Sequence, residues 1–356
     1  MKSKTLQKID RIRCQNANAS QDRYYLGMSE IGTECKRQLF YSFRKAKKRV
    51  LDQKSVKAIE DGHLQESLMA NQLRILPLIE LHTEENGDQI GFSDIDGHFC
   101  GHVDGMIKGI EQDILKWFVW EHKSVNEKKF SQLVKICEEK GEKLSLKEWD
   151  YVYYCQAIMY MHYSGVGLHY LTVTTPGGRD DFDCITEYDS RIATILIEKA
   201  NDIISSTLPP ARLSDKREFY KCKWCNYQEI CHDGVFPDVN CKTCKHIAHK
   251  ENGSFYCVIK KKAIKKEKIN VACDSHVYLS GLIDAQEVNY NDDCTIFLKN
   301  GIYFSNCAKN GFPPILENKD IQIFTSKELF KNIKSVQNIQ EKALKLQKKF
   351  KGEIIR

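Results

Sequence analysis

Gly101-His102-Val103-Asp104-Gly105, followed after a turn-rich connection by Trp117-Phe118-Val119-Trp120-Glu121-His122-Lys123, is where the chain declares its architecture. Upstream, Asn86-Gly87-Asp88 and Asp96-Gly97 read as turns, and hydropathy switches to period two, predicting strands over 89–92, 99–107 and 114–123. Along a strand successive side chains alternate between faces, so Cys100, His102 and Asp104 are expected to point one way, and Glu121 and Lys123 to share a face of the next strand. Taken alone, an Asp followed by Glu-X-Lys describes surface charges. The apolar run Trp117-Phe118-Val119-Trp120 changes that reading, because a buried strand holds charges at its end only for a reason. Hydrolysing a phosphodiester gathers negative charge in the transition state and needs a more acidic water, and both call for a divalent cation. Hard cations such as Mg²⁺ or Mn²⁺ prefer carboxylate oxygens, which Asp104 and Glu121 on neighbouring strands would supply, with Lys123 orienting or activating the water.

Around these strands the pattern is helical. Val56, Ile59, Leu64, Leu68 and Leu73 predict a helix over 54–75 that carries Gly62-His63-Leu64-Gln65-Glu66, with His63 and Glu66 on one face. Residues 124–147 read as polar helix. The uncharged stretch 151–178 is too polar for a lipid-facing span, with six tyrosines, two histidines and Gln156, and predicts a buried helix over 151–163 and a buried strand over 168–175. Gln156, Tyr160 and Tyr163 fall on one face of that helix. Residues 1–25 read as a loose start or short helix, 29–41 as a turn into a helix capped by Thr33, and 190–206 as an amphipathic helix.

Composition bounds the rest. The chain has 356 residues, 42% hydrophobic and 29% charged, which excludes disorder for most of it. Its net charge of +6 is modest but concentrated in Arg44-Lys45, Lys47-Lys48-Arg49 and Lys260 to Lys268, runs that are either solvated faces or phosphate-binding patches. MKSKTLQKID has no apolar core after its lysines, so no secretory signal and a reducing, cytoplasmic setting are expected. No Walker-type phosphate loop is present, so no helicase motor is expected.

Fifteen cysteines are therefore read as metal ligands before disulfides. Cys222-Lys223-Trp224-Cys225 with Cys231 supplies three closely spaced thiols, and Cys35 is the candidate fourth; a buried apolar role for Cys35 is the alternative. Spacing leaves zinc and an iron–sulfur cluster open. Cys241-Lys242-Thr243-Cys244, then Cys257, predicts a zinc ribbon whose fourth ligand is Cys273 or His276, with four cysteines preferred. Cys14, Cys100, Cys137, Cys155, Cys184, Cys294 and Cys307 show no ligand spacing and read as core or incidental thiols. Lys260, Lys261 and Lys262 in the ribbon's insert would touch DNA phosphates or be merely solvated.

Gly62 to Glu66, Gly101 to Gly105, Glu121 to Lys123 and Gln156 to Tyr160, in this order, resemble the PD-(D/E)XK nuclease superfamily, and within it the RecB-like, phage-type exonucleases. The resemblance implies a central mixed β-sheet flanked by helices, with Asp104 and Glu121 as metal ligands, the His122 carbonyl completing the shell, Lys123 catalytic, and Gln156 positioning Lys123 or DNA. Tyr160 is expected at the DNA. Glu66 is favoured over His63 as the remaining ligand. Cys35-Lys36-Arg37-X-Leu39-Phe40-Tyr41 with Cys222 to Cys231 resembles the four-cysteine staple of AddB and CRISPR-associated nucleases, which implies a structural 4Fe–4S cluster, zinc being the alternative. The Cys-X₂-Cys-Lys-His element at Cys241 is similar to one in phage exonucleases.

The expected organisation is an N-terminal segment (1–24), a nuclease domain (25–235), a zinc-ribbon-like module (236–280) and an α+β tail (281–356). In the tail, short strands precede a helix opened by the capping pattern Thr325-Ser326-Lys327-Glu328. Its stripe Leu329, Ile333, Val336, Ile339, Ala343, Leu346 and Phe350 would dock on its own domain or build an oligomer. The expected function is a metal-dependent DNA exonuclease of phage-type recombination or end processing, in a bacterial or phage-infected cell, with DNA and a recombination or single-strand-annealing protein as partners. The alternative is a DNA-binding or assembly protein that keeps the fold without cutting.

Overall fold

The Trp117–Ser124 strand lies at the centre of the first unit, buried on both faces from Phe118 to His122. The computed structural model describes residues 2–19, 23–316, 321–339 and 341–342. Five strands, β1 (Glu80–His82), β2 (Gly105–Lys108), β3 (Trp117–Ser124), β4 (Leu168–Thr174) and β5 (Asp181–Glu187), form one sheet in the order β5-β4-β3-β2-β1. β3 and β4 are parallel and the other neighbours antiparallel. The fold class is mixed α/β, as expected.

Period two explains how β3 is covered. Phe118 and Trp120 enter a cluster with Ile107, Ile110 and Tyr170, against Met69, Ala70 and Leu73 of the helix Gln53–Leu73. Glu121 is on the other parity, and there the helix Tyr151–Ser164 supplies Gln156. That helix is buried continuously from Tyr154 to Met161, which is why its sequence carries no charge. Asp150 caps it, accepting from the Val152 and Tyr153 amides, and Gly165 ends it in the left-handed region at φ 71°.

One expected strand is two. Phe99–His102 pairs with Gly91–Asp94 and with Leu26–Gly27 in a separate three-stranded sheet, and the chain enters the large sheet only at Gly105. Asp104 therefore sits in a bend between sheets, and does not share a continuous strand face with Cys100 and His102. The close passage needs glycine at two points. A Cβ at Gly101 would lie 2.5 Å from Tyr160 Cε1, and one at Gly105 would lie 2.9 Å from the His82 carbonyl oxygen.

Chain contacts divide the molecule into Met1–Thr33 with Val50–Asn201, and Glu34–Arg49 with Asp202–Arg356. This division differs from the expected boundaries. The helix Lys4–Ala19 belongs to the first unit, where buried Asp10 pairs with Lys2 and Lys57. The helix Lys36–Phe43, which follows Cys35, belongs to the second.

The second unit contains a three-stranded antiparallel meander, Ile247–Lys250, Ser254–Cys257 and Lys262–Ile264, and a four-stranded sheet from Gln286–Tyr290 to Gln322–Thr325. The expected ribbon and tail share one core: Phe236 and Tyr278 pack with Phe297, Phe304, Leu329, Ile333, Val336 and Ile339. The last four confirm docking of the terminal stripe on its own unit. A single continuous helix is not formed, because Leu329–Ile333 is one π-helical turn, Lys334 takes φ 71°, and Ser335 bridges to Val235. Ala343, Leu346 and Phe350 lie outside the described residues.

Cys294 and Cys307 correct another expectation. They are disulfide-bonded, directly opposite one another on the hairpin Cys294–Lys299 and Ile302–Cys307. Asn300 and Gly301, both at positive φ, make its turn. Among the described residues no helix is long and apolar enough to cross a membrane.

Candidate active site and cysteine centres

The register of β2 on β3 creates the first site. β2 begins opposite Trp120, so beyond that residue one edge of β3 has no strand partner. Asp104 fills the position: its Oδ2 accepts the His122 amide at 2.8 Å. In an extended strand the N–H and C=O of one residue point to the same side, so the His122 carbonyl faces the same edge. The His122 ring lies among Thr172 and Thr174 hydroxyls, at 3.0 and 3.3 Å, and burial lowers its pKa to about 4. That imidazole is structural and neutral.

Glu121 is 2% exposed. Its Oε2 accepts from Lys123 Nζ at 2.6 Å and from Gln156 Nε2 at 3.2 Å, while Oε1 is buried with no hydrogen-bond partner. Burial and the Asp104 carboxylate raise the Glu121 pKa, against the pull of Lys123. For Lys123, burial opposes the charge, but Glu121 and Asp104 outweigh it and hold the ammonium protonated. The Lys123 ammonium also lies 5.5 Å from the centre of the Tyr153 ring. Glu66 completes the group: burial and then Asp104 push its pKa up to about 7, with Lys123 opposing. Three carboxyl groups whose charges repel one another around one ammonium are disposed to take a cation.

His63 is exposed on the same helix, whereas Glu66 faces Asp104. Tyr160 is 2% exposed and its hydroxyl accepts from Gln156, so it supports Gln156 and presents no surface to DNA. Lys260, Lys261 and Lys262 are exposed, and Lys260 is drawn to Cys273.

Both cysteine sets converge within the second unit. Burial, then Cys231 and Cys35, raise the Cys222 pKa; burial and the thiols of Cys35, Cys231 and Cys222 raise that of Cys225. In the other set, burial followed by Cys244, Cys273 and Cys257 pushes Cys241 up to about 11, and Cys244 likewise, although the His246 and Val277 amides donate to its sulfur. A small cavity joins Cys241, Cys244, Cys257 and Cys273. His276 also lines it, but its Nδ1 pairs with Ser326 Oγ at 2.8 Å and its Nε2 with the Asn240 carbonyl at 3.0 Å. Both His276 ring nitrogens are thus engaged within the protein. Among the described residues, no three His, Cys, Asp or Glu side chains already stand in metal-binding geometry.

Two residues carry structural roles that the sequence does not signal by motif. Thr172 anchors both the Trp120 indole and the His122 ring, at 3.0 Å each, and nothing local signals it. Asp61 accepts from Ser124 and Gln65, and its position beside Gly62 was the available hint. His246, the histidine of the Cys-X₂-Cys-Lys-His element, borders the ribbon cavity with a buried, unpartnered Nε2.

No family model matches the chain, and no curated protein is significantly similar to it. Among solved structures, one titled SSO0001 aligns with 64% of this chain and 96% of its own at 14% identity and a TM-score of 0.36. An alkaline exonuclease, LHK-Exo from Laribacter hongkongensis, aligns with 53% of this chain and 91% of its own at 11% identity and a TM-score of 0.37. LHK-Exo in complex with dAMP aligns with 51% and 86%, at 11% identity and a TM-score of 0.36.

Proposed function

We propose that this chain is a metal-dependent deoxyribonuclease that works as an exonuclease in phage-type recombination or DNA end processing. The observation that carries the reading is the buried, unpartnered Glu121 Oε1 beside Asp104, Glu66 and Lys123. An acceptor without a donor in a buried site is costly, and a cation held by Glu121, Asp104, Glu66 and the His122 carbonyl would relieve it. Mg²⁺ or Mn²⁺ fits this all-oxygen donor set and supplies Lewis acidity toward water and the scissile phosphate.

The chain's own residues do the rest. Lys123, held charged at 2.6 Å from Glu121, orients the attacking water and offsets the charge that develops on the phosphate. Gln156 fixes Glu121, and the His122 amide fixes Asp104 in the rotamer that points at the same edge. In the second unit Cys35, Cys222, Cys225 and Cys231 would hold a structural 4Fe–4S cluster or zinc, and Cys241, Cys244, Cys257 and Cys273 a structural zinc. A single-strand-annealing protein would be the partner in recombination.

A DNA-binding protein that does not cut is the competing reading, and the intact Glu121–Lys123 pair argues against it. The test is degradation of linear and circular DNA by the full chain in Mg²⁺ and in Mn²⁺. Loss of linear DNA from its ends supports the proposal; binding of both forms without release of nucleotides in either metal overturns it.

A further inference from the structure

The turn that carries Cys222 shows two aromatic rings to solvent. Trp224 is 83% exposed and Tyr220 65%, whereas Trp120 and Trp149 are buried and Trp117 is half-buried. An indole offers one of the largest apolar burials of any side chain, so one left in water calls for a reason outside the fold. Ring packing supplies none for Trp224: among the described residues no other ring stacks on it, and the Lys223 ammonium stands 5.4 Å from its centre. Tyr220 has the Phe219 ring at 4.8 Å on one side and the Lys221 ammonium at 5.6 Å.

The two rings are held in place. Tyr220 opens the helical turn Tyr220–Lys223 and Trp224 caps its end. Side chains four apart on a helix share a face, about 5–6 Å from one another. The turn is fixed from within: the Cys222 and Lys223 amides both donate to the Phe219 carbonyl, at 2.8 and 2.9 Å, and Gln228 Nε2 donates to the Arg217 carbonyl at 3.0 Å. Arg217 in turn pairs with Asp233 at 2.9 Å. Such a surface costs little ordering entropy when it binds.

The lysine beside each ring decides what covers them. Lys221 is ion-paired with Glu34, and Lys223 lies against Trp224 itself. The cores of protein–protein interfaces are depleted of lysine, because covering these rings with protein would strip both ammonium groups of water. A nucleic-acid strand brings a base to the ring and a phosphate to the ammonium. Paired bases already have both faces stacked, so an unpaired strand is the form that offers them. We infer that Trp224 and Tyr220 form a stacking platform for the bases of a single-stranded nucleic acid, with Lys223 beside its backbone. The platform lies wholly within the second unit, and the inference rests on no residue of the carboxylate site.

The anisotropy of a short labelled oligothymidylate, titrated with the full chain and no added divalent cation, tests it. The wild-type chain should bind, and Trp224→Ala should weaken binding about fivefold or more, the loss of one stacked base. Trp224→Phe should restore most of the affinity, since any aromatic face stacks. Binding of a blunt, fully paired duplex should be unchanged in Trp224→Ala. Tyr220→Ala should also weaken single-strand binding, and it serves if Trp224→Ala disturbs the adjacent cysteines. No binding of the oligonucleotide by the wild-type chain overturns the proposal, as does unchanged affinity in folded Trp224→Ala or Tyr220→Ala, or an equal loss on the duplex. Self-association of the wild-type chain without DNA that disappears in Trp224→Ala, followed by sedimentation, would give the rings to a second copy and overturns it too. DNA cleavage is not the readout, so failure here is distinct from failure of the nuclease assignment.

Discussion

Replacing Lys123 with Met isolates the electrostatics of the carboxylate site from its chemistry. In the wild-type chain the ammonium sits 2.6 Å from a Glu121 carboxylate that is almost fully buried. Met keeps the stem's packing and removes the charge, leaving Glu121 with the Gln156 amide and the Asp104 backbone N–H. Keeping that carboxylate ionised without its partner would cost about 3–5 kcal/mol. Protonation is the escape. An ordinary glutamate titrates near 4.5, so binding a proton in the folded state alone costs about 3.4 kcal/mol at pH 7 and about 0.7 kcal/mol at pH 5. The cheaper route sets the outcome. Because Glu121 is already raised in the wild type and shares part of this cost, Lys123→Met should lose at most about 3 kcal/mol at pH 7 and under about 1 kcal/mol at pH 5, measured by urea unfolding without added divalent cation. Glu121→Gln/Lys123→Met, with no carboxylate to protonate, should show no such slope. Equal losses at the two pH values, or a double variant as pH-dependent as the single one, would refute the reasoning.

Glu66 has its folded-state pKa raised from 4.5 to about 7, so the folded state holds the extra proton and stability should fall as pH rises through that window; thermal melts across it should flatten in Glu66→Gln, and Mn²⁺ should restore wild-type stability at the upper end. Gly101→Ala forces a Cβ to 2.5 Å from the Tyr160 ring, an overpacking of about 1–3 kcal/mol that also shifts the support of Gln156; the midpoint of urea denaturation and the rate of cleavage should both decline. Under the proposed assignment, Cys225→Ser should lower metal content by one centre per chain while leaving the zinc proposed for the second set. Elemental analysis of anaerobically purified protein decides the metal there: iron with a brown colour is expected, and two equivalents of zinc without iron would assign zinc to the first set.

The legible parts of this fold are those fixed by local pattern. The burial of β3 follows from Trp117 to Trp120, and the buried helix from the charge-free run after Asp150. The grouping of Cys35 with Cys222, Cys225 and Cys231 is what the resemblance implies, and metal analysis is its test. The bend at Asp104 was not, because Cys100, His102 and Asp104 keep period two through a change of sheet, and pairing partners are a tertiary matter. The same limit hid the end of the terminal helix: spacing by fours and threes continues through Lys334, whose positive φ is imposed by the Val235–Ser335 bridge and the shared core. Cys294 and Cys307 carry a local clue to their pairing, since they are equidistant from the Asn300-Gly301 turn that sets their register.

The nuclease assignment meets its most direct test in one side-by-side assay: end-labelled linear DNA with wild-type and Lys123→Ala protein in Mn²⁺, scored for cleavage and for binding. The wild-type chain should release label from the ends, and the variant should bind DNA with little change while cutting about 10²- to 10⁴-fold more slowly, the loss of a positioned proton donor and charge. Full cleavage by Lys123→Ala would contradict the account.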